Sequence, residues 1–220
     1  MHLLVVAKSP VPGRVKTRLC PPFDAADAAA IAEAALADTL EAAGRCGADR
    51  VVLALDGAPG PWLPSGVQVI AQGEGDLAAR LTSAWAQVGG PGLQVGMDTP
   101  QLTVTDLDEA LATLARPATD AVLGCAEDGG WWAIGFRRPH PLAFLGVPTS
   151  RADTGARQLD RLHCLGLRTS ELPVRRDVDT ATDAFAVADS APGTRFARAV
   201  ADAVGPGPGR TAVVRDGGAR

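Results

Sequence analysis

The chain has 220 residues, enough for one domain with a sizeable core, and its 46% apolar and 21% charged content is that of a globular protein. A formal net charge of -4 argues against a general nucleic-acid binder. No apolar run approaches the roughly 20 residues needed to cross a bilayer, so no membrane span is expected.

Taken in chain order, Leu3-Leu4-Val5-Val6 reads as a buried first strand. A loop follows, Ala7 to Leu19, with Lys8, Arg14, Lys16 and Arg18 framed by prolines and Gly13. No helix or strand pattern accounts for it. An alanine-rich helix is predicted from Asp24, its N-cap, to Gly44, its stop. Val51 to Leu55 is a second buried strand, residues 57–66 a Gly/Pro-rich loop, and Val67 to Ile70 a third strand. A helix is expected from about Asp76 to Val88, a strand from Leu93 to Gly96, and a helix capped by Thr105 or Asp106 and ending near Ala115. Strands follow at Ala121–Gly124 and Trp131–Phe136, separated by an Asp128-Gly129-Gly130 turn. A helix is expected around Thr154 to Leu165, and Asp183 to Ala188 opens a last helical region. The repeated β-α order predicts a mostly parallel sheet between helical layers. Residues 1–204 are read as a single domain and 205–220, rich in Gly, Pro, Arg and Asp, as a disordered tail.

Cys20, Cys46, Cys125 and Cys164 form no C-x-x-C pair, and His2, His140 and His163 lack metal-site spacing, which predicts reduced thiols and no zinc centre. With Met1-His2 leading straight into a strand and no signal-peptide arrangement, a cytoplasmic protein is expected.

Open α/β sheets bind ligands beyond the carboxyl ends of their strands. Those ends carry the basic loop, Gly96-Met97-Asp98-Thr99-Pro100, Asp128-Gly129-Gly130-Trp131-Trp132 and Asp177-Val178-Asp179-Thr180. Cations at one end and acids at three others suit a divalent metal bridging a nucleotide's phosphates, since Mg²⁺ takes oxygen ligands from carboxylates and phosphates. Each piece has a plainer alternative. Asp98 and Asp128 also suit turns, Asp177 and Asp179 a solvated loop or helix cap, and the tryptophans core and rim packing.

Four motifs together give the chain a resemblance to the GT-A, nucleotide-diphospho-sugar transferase superfamily. They are Ala7-Lys8-x-Pro-x-Pro-Gly13-x-Val-Lys16-Thr-Arg18-Leu19, Gln72-Gly73-x-Gly75-Asp76-Leu77-x-x-Arg80, Gly96-x-Asp98-x-Pro100 and Asp128-Gly129-Gly130-Trp131-Trp132-x-Ile134-Gly135; Asp177-x-Asp179-Thr180-x-x-Asp183 adds a fifth. The chain is similar to a small bacterial family labelled as glycosyltransferases, sometimes linked by name to arsenosugar biosynthesis. Its layout resembles that of guanylyltransferases acting on 2-phospholactate or the molybdenum cofactor. The resemblance implies a three-layer, Rossmann-like GT-A fold, α/β, with a mostly parallel mixed sheet flanked by helices.

By that resemblance Lys8, Gly13, Arg14, Lys16 and Arg18 cradle the phosphates, and Gly73, Asp76 and Arg80 border the base or acceptor pocket. Asp98 and Asp179 hold Mg²⁺ or Mn²⁺, with Asp177 as the fallback ligand. Lys16, Asp98 and Asp128 form the catalytic set, and Gly129, Gly130 and Trp131 face the acceptor; Arg151 and Thr154, in the loop expected before a helix, are further acceptor-side candidates. Only one Asp stands where glycosyltransferases carry D-x-D, a pattern closer to nucleotidylyltransferases. The first expectation is thus a nucleotidylyltransferase joining an NTP to a small phosphorylated or acidic acceptor with release of pyrophosphate. A glycosyltransferase with Asp128 as base is the second, and a nucleotide-binding module without turnover the third. Partners are a nucleotide and a small acceptor, without nucleic acid or membrane; a homodimer is left open.

Overall fold

A computed structural model describes residues 1–205, and the expected tail from 206 onward lies outside the described residues. Seven strands form one sheet: β1 (His2–Lys8), β2 (Arg50–Asp56), β3 (Gln68–Ala71), β4 (Gly92–Gly96), β5 (Ala121–Ala126), β6 (Trp131–Phe136) and β7 (Thr169–Arg175). The helices are α1 (Ala25–Arg45), α2 (Leu77–Val88), α3 (Val104–Ala115), α4 (Thr154–Cys164), α5 (Ala181–Ser190) and α6 (Arg195–Val204), with a short 3₁₀ turn at Thr17–Leu19.

The strand order is β3-β2-β1-β4-β6-β5-β7. Four neighbouring pairs are parallel, and β6 runs antiparallel to both β4 and β5, so the sheet is mixed but mostly parallel as expected. The chain winds outward from β1 through β2 to β3, then returns to place β4 on the other side of β1. That reversal is the switch point where such sheets open a crevice. Val6 of β1 lies beside Gly96 of β4, so the basic loop and the Asp98 segment leave the sheet side by side.

Alternation along the buried strands divides the core between the two sheet faces. Leu3 and Val5 join Leu36 and Leu40 of α1 and Leu107 and Leu111 of α3 on one face. Leu4 and Val52 join Leu81 and Trp85 of α2 and Leu162 of α4 on the other. Alanines let α1 pack on two sides at once: its Ala28, Ile31 and Ala35 meet Val187 of α5 and Phe196 and Val200 of α6.

Local chemistry sets the helix starts. Asp24 caps α1 in a capping box with Asp27, as the sequence predicts. The α3 cap is Thr103 rather than Thr105 or Asp106, because the Asp106 carboxylate at N3 closes a box on Thr103. β7 is an edge strand with one buried residue, Leu172, which is why its pattern is weak in sequence. The last helical region is two helices, divided at Pro192-Gly193. No described helix is long and apolar enough to cross a membrane, and the four cysteines are free thiols.

Candidate functional site

The basic loop is pinned from below. Val15 and Leu19 are buried in the core, leaving the residues around them to face the crevice. Lys16 takes a left-handed backbone conformation, φ 49° and ψ 37°. For a side chain other than glycine that costs about 1–3 kcal/mol, and it persists only where surrounding contacts hold it. Here the ammonium is drawn inward. Lys16 Nζ lies 2.5 Å from Asp98 Oδ1 and 3.7 Å from Asp179 Oδ1, and it donates to the Val178 carbonyl. Arg18 Nη1 lies 3.1 Å from Asp179 Oδ2.

Backbone hydrogen bonds dock the acidic segments against one another. Val178 N donates to the Asp98 carbonyl at 2.8 Å, and Glu127 N to the Arg175 carbonyl at 3.0 Å. Gln101 Nε2 donates to the Arg176 carbonyl at 2.5 Å. The end of β7 is thereby held between the β4 and β5 loops. Asp128 opens the β5–β6 turn, its Oδ1 accepting from Gly130 N at 2.7 Å. The turn admits only glycine at 129: φ is +88°, and an added Cβ would stand 1.9 Å from the Ala152 carbonyl oxygen. The Gly129 carbonyl accepts from Gly155 N at 2.7 Å, which ties the start of α4 to the turn.

Asp128, Asp177 and Asp179 each offer a carboxylate oxygen, all within 4.8 Å of one another. Burial first, then the Asp128 charge and those of Asp179 and Asp98, push the Asp177 carboxyl up to about 6. An all-oxygen donor set at this spacing fits a hard divalent cation with ligand distances of about 2.0–2.6 Å, which would relieve the repulsion. Sequence reasoning chose Asp98 and Asp179 as metal ligands and kept Asp177 in reserve. Asp179 and Asp177 gather with Asp128, and Asp98 stands beside them on the Lys16 ammonium.

Two hollows meet along Asp98, Ser150 and Asp179. The larger, about 410 Å³, is lined by Lys8, Arg14, Lys16, Arg18 and Arg80. Arg80 Nη1 lies 3.6 Å from Asp56 Oδ2 and 3.3 Å from Gln72 Oε1. Gln72 Nε2 in turn donates to the carbonyls of Ala7 and Ala54, at 2.8 and 3.0 Å, bridging β1 and β2. The smaller hollow, about 290 Å³, has Asp98, Asp128, Asp177 and Asp179 at one part of its wall and Gly130, Trp131, Trp132 and Thr154 among the rest.

Five expected site residues line neither hollow: Gly13, Gly73, Asp76, Gly129 and Arg151. Asp76 caps α2, its Oδ1 accepting from Ala79 N at 2.8 Å. Arg151 is paired with Asp153 at 2.9 Å. Thr99, Gln94 and Gln158 line the smaller hollow and were not singled out in the sequence. Their signal is burial of a polar side chain, which no local pattern displays.

Residues 25–151 match the family described as "Uncharacterized protein conserved in bacteria (DUF2064)". The chain belongs to this family. No curated protein matches it. Among solved structures it is similar to a candidate nucleotide-diphospho-sugar transferase from Desulfovibrio desulfuricans G20, at 26% identity over 91% of this chain and 92% of that one, with a TM-score of 0.80. Rv0371c from Mycobacterium tuberculosis H37Rv, in complex with manganese, is 24% identical over 86% of this chain and 98% of that one, TM-score 0.52. A CMP:2-keto-3-deoxy-manno-octonic acid synthetase complexed with CTP is 14% identical over 87% and 98%, TM-score 0.56. These last two share the fold. The DUF2064 chain is thus an enzyme of the transferase class, with the α/β fold of the nucleotide-diphospho-sugar transferase superfamily.

Proposed function

We propose that the protein is a divalent-metal-dependent nucleotidylyltransferase, binding an NTP in the basic hollow and an acceptor in the smaller one. The observation that supports this best is the junction: five cations share a hollow that opens onto four aspartates at the switch point of the sheet. Neutralising a triphosphate requires charge-assisted contacts of this kind.

Asp128, Asp177 and Asp179 would hold Mg²⁺ or Mn²⁺, which supplies positive charge where negative charge grows during transfer. Lys8, Arg14 and Arg18, which line the basic hollow, would grip the outer phosphates and receive the departing pyrophosphate. Lys16, already between Asp98 and Asp179, orients the phosphate nearest the acceptor. An acceptor oxygen then attacks the α-phosphorus. The new O–P bond forms as the α–β bridging P–O bond breaks, and the electron pair leaves with pyrophosphate. A hydroxyl acceptor would give up its proton to a wall carboxylate oxygen that the metal leaves free. Most of the rate gain comes from positioning and charge stabilisation.

A second reading, glycosyl transfer from a nucleotide sugar, draws support from that same Asp128 on the acceptor side and from the Desulfovibrio relative's description. A screen of NTPs and NDP-sugars with Mg²⁺ or Mn²⁺ tests both. Metal-dependent stabilisation by an NTP, with pyrophosphate release on adding acceptors, is the expected outcome. Stabilisation by NDP-sugars with NDP release gives the second reading, and no metal-dependent response to either class overturns both.

A further inference from the structure

The smaller hollow contains no lysine, arginine or histidine among its lining residues, while four aspartates line it, two of them, Asp98 and Asp179, on its border with the basic hollow. The cations of nearby α4 and the loop before it are committed elsewhere. Arg151 and Arg157 both pair with Asp153, at 2.9 and 2.7 Å, and Arg161 Nε donates to the Leu142 carbonyl. An anionic group seated on the wall away from the aspartates would therefore lose its hydration and find no protein countercharge.

Its neutral polar groups are the reverse case. Thr99 is 1% exposed, and its Oγ1 is buried with no hydrogen-bond partner. Gln158 spends its amide nitrogen on the Ala143 carbonyl at 2.9 Å, which leaves its oxygen to the hollow. Gln94 spends its oxygen on Trp85 Nε1 at 2.7 Å, which leaves its amide nitrogen. Buried polar groups are normally satisfied, so a hydroxyl group, one acceptor and a donor on a cavity wall are a recognition surface for neutral hydrogen-bonding groups. Beside them, the Trp131 and Phe144 rings lie near-parallel at 24° and 6.3 Å, with Leu77 and Leu81 completing an apolar wall.

We propose that the acceptor is an uncharged, hydroxyl-bearing molecule with an apolar face, in place of the phosphorylated or acidic compound that the sequence suggests. The inference rests on the smaller hollow being the acceptor side of the transferase, and it holds for nucleotidyl or glycosyl transfer. Thr99, Gln94 and Gln158 read the neutral polar groups. The aromatic wall carries the apolar face, and one hydroxyl is left to point at the aspartates.

The test uses two probes that differ in one group, phenyl glucoside and phenyl glucoside 6-phosphate, with binding to the full chain followed by ligand-observed NMR. Mg²⁺ and inorganic pyrophosphate are present to occupy the basic hollow. The neutral probe should bind at least about tenfold tighter than the phosphorylated one. Thr99→Val should weaken the neutral probe about fivefold or more, and Gln158→Lys should bring the two affinities together or reverse them. Thr99→Val is close to isosteric and keeps the test valid if Gln158→Lys fails to fold. Equal or tighter binding of the phosphorylated probe by the unmodified protein, or no binding of either, overturns the proposal. Thermal response to NTP and metal is read in the same preparation. If it is normal while the neutral probe has no advantage, this inference alone fails; if it is absent, the reading under Proposed function fails.

Discussion

The two hollows share a border but are made of opposite materials. The basic one is built largely from one loop, whose cations are neighbours in sequence and whose anchors, Val15 and Leu19, flank Lys16 and Arg18. The apolar one takes its walls from β4, β6, α2, α4 and the loop before α4, and its polar groups are deeply buried. The first is suited to holding charge that every nucleotide shares. The second is suited to distinguishing one small molecule from another. A family can keep the loop and change its acceptor by altering residues scattered over several elements.

The largest expected effect lies at the border. Asp98→Ala should lower metal-dependent turnover by about 100-fold or more, since it removes the carboxylate that positions Lys16 between the hollows. The side chain is 44% exposed, so an unchanged thermal melt and circular dichroism spectrum should accompany the loss. Normal initial rates would remove Asp98 from the mechanism.

Next is Lys16→Ala, which should weaken nucleotide binding by about 1.5–3 kcal/mol, roughly 10- to 100-fold, while leaving neutral-probe binding in the smaller hollow unchanged. Calorimetry of both ligands checks it. Equal losses at both would mean that the two hollows are one site.

The third effect has opposite signs with and without metal. The Asp177 carboxyl sits at about 6 in the fold against 3.8 for an ordinary aspartate. Between those values the folded chain holds a proton that the unfolded chain has lost, so stability falls as pH rises through the window and stays lowered above it. Asp177→Asn should therefore stabilise the metal-free protein at pH 7 by about 1–2 kcal/mol, solvent screening of this half-exposed group trimming the full effect, with the gain vanishing below about pH 4. Saturating Mn²⁺ should reverse the order, because the variant loses a ligand. Thermal melts across pH, with and without Mn²⁺, show both signs.

The smallest effect concerns Asp76, which the sequence placed at the nucleotide and the structure places at the start of α2. Asp76→Ala should cost about 1 kcal/mol of stability, the usual loss of an N-cap, with nucleotide affinity unchanged. A selective loss of affinity would restore its binding role.

The fate of these residues shows what a single sequence displays. The Pro-Gly framing of four cations, the Asp24 cap and the strand-end position of Asp98 are local patterns with local causes, and each is legible. Asp76 also has a local cause, capping, and the same position suits binding because helix N-termini attract ligands as well as caps. The partial burial of Asp177 depends on Asp98, Glu127 and Gln101 docking the β7 end from far away in the chain. Gln94 and Gln158 are ordinary polar letters until β4 and α4 bury them. The antiparallel β6 is legible in part, since the Asp128-Gly129-Gly130 turn is too short for a crossover helix and permits only a return strand.

Nucleotide phosphates and a divalent ion are expected to meet where the hollows join. A crystal structure with Mn²⁺ and an NTP, using the anomalous signal of manganese, tests it most directly. The expected result is an anomalous peak among Asp128, Asp177 and Asp179, with phosphates reaching from it toward Lys8, Arg14 and Arg18. Manganese bound away from those aspartates, or phosphates lying outside the basic hollow, would contradict it.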